Sequence, residues 1–136
     1  CMIRTLCINS QDMKQVIATE NAPKAVAPYS QAIEVNGTLY ISGQIPVNPA
    51  DGQIQDEITA AAHQSLKNIG AILKEAGMTY DNVVKTTVLL ADIADFKAVY
   101  DVYAEYFTGD KPARACYQAA ALPLGVKVEI EAIAVR

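Results

Sequence analysis

The chain has 136 residues, 51% of them hydrophobic, and a formal net charge of −4. That length suits one domain with a core of its own, and no apolar run approaches the roughly 20 residues of a membrane-spanning helix. Eleven basic residues against fifteen acidic ones, with no basic stripe, argue against a nucleic-acid surface and leave a small molecule or a protein as partner.

Residues 1–14 show no periodicity and open on Cys1, whereas Met13-Lys14 reads as a more natural start. They are expected to be a mobile N-terminal extension ahead of a single domain, residues 15–136. Lys14 to Thr19 reads as a short edge strand. A loop with two prolines, Asn21 to Pro28, leads into Tyr29-Ser30-Gln31. Strands are predicted over Ser30–Val35 and Thr38–Gln44, joined by Asn36-Gly37, a strong hairpin signal. Turn residues fill the run from Pro46 to Gly52.

Spacing predicts a helix over Glu57–Ala76, with Ile58, Ala62, Ser65, Ile69, Ile72 and Ala76 inward, Asp56 as its cap and Gly77 at its end. His63 sits mid-helix among alanines, so a structural role is expected and no Ser-His-Asp triad is built on it. The β-branched run from Asn82 to Ala91 suits a central strand. A second helix, Asp95–Phe107, is predicted with Phe96, Val99, Tyr103 and Phe107 inward. Two closing strands, Ala113–Leu122 and Val126–Val135, flank Leu122-Pro123-Leu124-Gly125.

The order β-β-β-α-β-α-β-β predicts an α+β domain, a mixed β-sheet with two helices on one face. On the last strand, period-two alternation sets Val126, Val128, Ile130, Ala132 and Ala134 against Lys127, Glu129, Glu131, Ile133 and Val135. A face that is half polar and half apolar suits burial by another subunit, so self-association is expected.

Arg114 and Cys116 stand two residues apart on a segment that otherwise reads as buried. A desolvated guanidinium calls for a carboxylate, either the protein's own, Glu129 or Glu131, or a ligand's. Cys116 reads as an inert thiol, because no base is visible to activate it. Cys1, Cys7 and Cys116 make no CxxC pair, and His63 is the single histidine. A reduced, cytoplasmic protein without a metal is expected.

Several motifs carry a resemblance. Ala22-Pro23, Pro28-Tyr29-Ser30-Gln31-Ala32, Ser42-Gly43-Gln44-Ile45-Pro46, Lys85-Thr86-Thr87-Val88, Pro112-Ala113-Arg114-Ala115-Cys116 and Glu129-Ile130-Glu131-Ala132-Ile133-Ala134 follow in that order. From about Val16 onward the chain resembles the RidA subgroup of the Rid imine/enamine deaminases. The resemblance implies a chorismate-mutase-like fold, a homotrimer and sites in the clefts between subunits. It also implies hydrolysis of 2-imino acids such as 2-iminobutanoate and 2-iminopropanoate, released by pyridoxal-phosphate dehydratases, to 2-oxo acids and ammonia.

By motif position, the resemblance makes Arg114 the binder of the substrate carboxylate and Glu129 the catalytic carboxylate. Tyr29, the backbone at Ser42 and Gly43, and the backbone N–H of Cys116 complete the implied site. Where the family usually offers an asparagine from the second helix, this chain has Tyr100, which bears on substrate range. Glu131 is an equally placed carboxylate, and only motif position prefers Glu129.

The chemistry fits the residue types. A planar guanidinium grips a carboxylate through two parallel bonds, and a glutamate can move the protons of an attacking water. The imine is already electrophilic, so no cofactor is expected. If Pro123-Leu124 centres a closing hairpin, Gln118 lies opposite Glu129, and Arg114 falls about four residues, roughly 13 Å, further along. One hairpin then fails to bring both groups to one ligand, which favours a site shared between subunits. The readings that compete are a non-catalytic sensor of 2-oxo acids and a ribonuclease or chaperone activity.

Overall fold

The structure is a computed structural model and describes residues 13–136. The expected N-terminal extension lies, up to residue 12, outside the described residues. Six strands form one mixed sheet: β1 (Gln15–Ile17), β2 (Ala32–Val35), β3 (Thr38–Gln44), β4 (Val83–Leu90), β5 (Ala113–Gln118) and β6 (Val128–Val135). Two helices, α1 (Ile58–Glu75) and α2 (Phe96–Tyr106), pack on one face.

Asn36 and Gly37 both take positive φ, 50° and 82°, the backbone that a tight hairpin between right-twisted strands requires. They pair β2 with β3 in the register Val35–Thr38 to Ala32–Ile41. Helix α1 starts one residue later than expected. Glu57, not Asp56, is its cap, because its extended backbone lets the carboxylate accept from the amides of Thr59 and Ala60 at 3.0 and 3.1 Å. Gly77 ends it at φ 76°.

The core lies between this helix layer and the sheet. Ala61, Leu66, Ile69, Ile72 and Leu73 of α1 meet Leu39, Val88, Leu90, Val128 and Ile130, all with no exposed surface. Each large side chain so buried contributes about 1.5–3 kcal/mol. Val99, Val102 and Tyr103 are the buried residues of α2, and Phe107 follows it into the core. Phe96, expected inward, is 40% exposed: it lies at the first turn, beyond the edge of the core, and stacks on Tyr100.

The strand order is β1-β2-β3-β6-β4-β5. The closing strands are therefore not a hairpin. β5 runs parallel to β4, and β6 is inserted between β3 and β4, antiparallel to both. The physical reason is α2: a strand, a helix and a strand in sequence form a crossover whose two strands lie parallel. Pro123–Gly125 then makes a short 3₁₀ turn that carries the chain back past the end of β4.

β5 is thus an edge strand, and the segment around Arg114 is not buried in the single chain. The sheet face away from the helices carries Ile33, Tyr40, Lys85, Thr87, Glu129, Glu131, Ile133 and Val135, the mixed surface expected from β6.

Candidate active site

One group of the implied site residues gathers at a bulge in β3. Ile41 pairs with Ala132 and Gln44 with Ile130, so Ser42 and Gly43 together face the single residue Glu131. The bulge is tied to the preceding loop: the Ser42 hydroxyl donates to the Ser30 carbonyl at 2.6 Å, and the Ser42 amide donates to Gln31 O at 2.9 Å. The hydroxyl and amide of Ser42 are therefore committed to holding the loop. That loop carries Tyr29, which is half exposed and lines a cleft of about 420 Å³ with Ser42, Ile41 and Tyr40.

Gln31 completes the loop's support. It is buried, and its amide donates to the carbonyls of Ala22 and Pro23 at 3.2 and 2.8 Å while its oxygen accepts from Thr19 N at 2.7 Å. Sequence reasoning placed Gln31 within the motif Pro28-Tyr29-Ser30-Gln31-Ala32 but gave it no role, because its partners Thr19, Ala22 and Pro23 are reached only through the tertiary path of the loop.

Gly43 has a more direct role. A Cβ at this position would sit 2.8 Å from Cδ of Glu129 and 3.0 Å from its Cγ. The missing side chain is the space that the Glu129 carboxylate occupies. Burial, and secondarily the charge of Glu131, push the Glu129 carboxyl above the ordinary glutamate range. Gly43→Ala is expected to swing this flexible carboxylate aside at little cost in Tm while lowering kcat at least tenfold. Thermal melting and turnover on one preparation check this, and wild-type kcat would show that the clearance is irrelevant.

The second group lies across the sheet. Arg114 shares a row with Thr86, whose hydroxyl bonds Tyr103 of α2 at 2.7 Å, so Arg114 belongs to the helix face at the β5 edge. Its Cζ stands 3.7 Å from the Tyr100 ring centroid and 5.8 Å from that of Tyr103. The ion pairs among the described residues are Lys97–Asp101 and Arg136–Glu34, and neither involves Arg114. Within one chain, Arg114 is not the structural partner of Glu129 or Glu131.

Cys116 sits two residues on, half-buried, with its thiol pushed up by burial against the opposing influence of Arg114. That disfavours the thiolate a nucleophile would need. His63 is half-buried, and its Nδ1 lies 2.7 Å from the Tyr106 hydroxyl, the structural place expected of it. Among the described residues no three His, Cys, Asp or Glu side chains cluster as a metal set.

Register keeps the two groups apart. Arg114 aligns through Thr86 with Ala132, and Glu129 aligns through Leu89 with Tyr117. They are offset by three residues, roughly 10 Å along the strands, with β4 between their strands and their side chains on opposite faces. The closing-hairpin geometry behind the predicted reach was wrong, since β4 lies between β5 and β6. Within one chain the two groups stand apart as halves that do not meet.

Comparison with known proteins agrees with the fold. Residues 19–136 match the Endoribonuclease L-PSP family. A 2-iminobutanoate/2-iminopropanoate deaminase of Mus musculus is 55% identical over 128 residues, covering 93% of this chain and 95% of its own. A Yersinia pestis protein of the conserved Rid family superposes with a TM-score of 0.88 at 50% identity, over 90% of this chain and 99% of its own. Escherichia coli TdcF, solved with bound serine, gives 0.87 at 41% identity, over 90% and 98%. From the family match over residues 19–136 and these relatives together, the chain belongs to the Endoribonuclease L-PSP family, on its RidA branch.

Proposed function

We propose that this protein is a cofactor-independent, cytoplasmic deaminase that hydrolyses 2-imino acids such as 2-iminobutanoate and 2-iminopropanoate, with their enamine tautomers, to 2-oxo acids and ammonia. The observation that carries this reading is Arg114, a guanidinium braced by aromatic rings and neutralised by no carboxylate among the described residues. A ligand carboxylate is the anion that its fork fits. The carboxylate held there sets the adjacent C=N carbon beside Glu129 of another copy.

Water oxygen bonds to that carbon while Glu129 takes its proton, giving a tetrahedral carbinolamine. Glu129 hands that proton to the imine nitrogen to complete the carbinolamine, then carries the carbinolamine hydroxyl proton to the same nitrogen. The C–N bond breaks as the C=O bond forms, and ammonia leaves with the 2-oxo acid. Burial of Glu129 makes it a stronger base than an exposed glutamate.

The half-sites support assembly as a homotrimer in which the bulge of one chain meets the β5 edge of the next. The unpaired outer edge of β5 and the mixed open sheet face are the surfaces available for this. Co-refolding Arg114→Ala with Glu129→Gln in equal amounts tests it. In a cyclic trimer about one quarter of the sites then have both native halves, so inactive parents are expected to give about one quarter of wild-type activity. No recovery, with mixed trimers verified by mass, would place both halves of the site in one chain.

The defining assay generates the imine in situ with an amino-acid oxidase or dehydratase and follows ammonia and 2-oxo acid. Acceleration is expected and is expected to persist after exhaustive chelation. A protein that binds 2-oxobutanoate without accelerating hydrolysis would instead be the sensor. The family's description as an endoribonuclease names the other reading. It is tested by incubating metal-free protein with single-stranded RNA, where no cleavage is expected from a surface without a basic stripe and with its one histidine bonded to Tyr106.

A further inference from the structure

The residue that sets the affinity of this site is not confined to those that touch substrate. The Tyr100 ring lies under the Arg114 guanidinium, 3.7 Å from centroid to Cζ, at van der Waals contact. It is itself fixed along α2. Phe96 packs against it at 4.2 Å between centroids, and Tyr103, one turn on, stands at 6.5 Å. Tyr103 in turn is held by the Thr86 hydroxyl at 2.7 Å and by Phe107 at 4.6 Å. Thr86 is the β4 residue registered with Arg114, so the aromatic stripe is anchored to the row of the sheet from which the arginine springs.

An arginine at an exposed strand edge, with no ion pair among the described residues, would otherwise sample many rotamers. The ring removes that freedom on one side while leaving the N–H groups in the guanidinium plane free to meet a carboxylate. Stacking and bidentate recognition use different parts of the group: the face for the ring, the edge for the ligand.

We infer that Tyr100 is a positioning residue, a cation–π shelf that holds the Arg114 fork in its carboxylate-receiving orientation and so sets KM rather than kcat. The inference rests on the reading that Arg114 grips the substrate carboxylate. It assigns to an aromatic face a task that a hydrogen-bonding side chain at the same helical position would perform by accepting from the guanidinium.

Tyr100→Leu keeps apolar bulk and removes the ring. It is expected to raise KM, and the Kd for 2-oxobutanoate, roughly two- to thirtyfold, the span between exposed and desolvated cation–π pairs, with kcat changed less than twofold. Tyr100→Phe is expected to restore most of the lost affinity. Incorporating phenylalanine with one, two and three ring fluorines at position 100 keeps shape while draining the ring's negative face. KM is then expected to climb stepwise with fluorine count, an ordering that packing alone would not produce.

A KM flat across the fluorine series overturns the inference, as does a loss confined to kcat. If Tyr100→Leu fails to fold, the fluorinated series decides by itself. Arg114→Lys, measured alongside, separates the two levels. Unchanged 2-oxobutanoate affinity in that variant would remove the carboxylate reading and the shelf with it. Weakened affinity together with a flat fluorine series would remove only the shelf.

Discussion

Glu129→Gln is expected to lower turnover by about 10²–10⁴ while binding a 2-oxo acid nearly as well as the native protein. The amide keeps the shape and still fills the space above Gly43, but it cannot take a proton from water. Stability should move the other way. The native fold raises the Glu129 carboxyl, first by burial and then through Glu131, so the fold favours the neutral form. The stabilisation linked to that group is fully present below the unfolded glutamate value and is lost as pH rises through the raised, folded one.

At neutral pH the ionised carboxylate therefore works against the fold, and the glutamine variant should melt at or above the wild-type Tm. A dead enzyme that is no less stable distinguishes a catalytic base from a structural carboxylate. The acid limb of kcat/KM carries the same signature. It should fall above the ordinary glutamate value, and Glu131→Gln should move it to lower pH by removing the neighbouring charge. Wild-type turnover in Glu129→Gln would transfer the role to Glu131, which faces Thr87 on the open side of the sheet.

Arg114→Lys is expected to lower kcat/KM by about two orders of magnitude, roughly 3 kcal/mol of lost charge-assisted bonding, and to weaken 2-oxo acid binding in parallel. Lysine keeps the charge but offers a point donor in place of a fork, and it loses the planar face that lies on Tyr100. Tm should be little affected, since Arg114 is exposed and forms no ion pair among the described residues. Isothermal titration with 2-oxobutanoate, initial rates and thermal melting on the same variant test all three statements. A loss of Tm that accounts for the whole loss of activity would return Arg114 to a structural role.

Period-two and helical spacing are local properties, and they were enough to determine the element order, the hairpin at Asn36-Gly37, both helices and the inward face of β6. The motif positions named two clusters of polar residues without showing that they lie apart. Chain-neighbour reasoning failed where neighbours in sequence are not neighbours in the sheet. The last two strands look like a hairpin because a short Pro-Gly turn joins them, yet β4 lies between them. The strand-helix-strand order from β4 to β5 was the available signal for parallel pairing.

Other features depended on contacts between residues far apart in the chain. The space that Gly43 leaves for Glu129 joins β3 to β6, and the shelf that Tyr100 makes for Arg114 joins α2 to β5. Neither leaves a trace in periodicity, because each depends on how two separate elements approach. The sequence alone determined which side chains were candidates for the chemistry. Only the tertiary structure decided that Arg114 and Glu129 emerge on opposite faces of the sheet, since strand order and register, unlike alternation within a strand, are set by long-range packing.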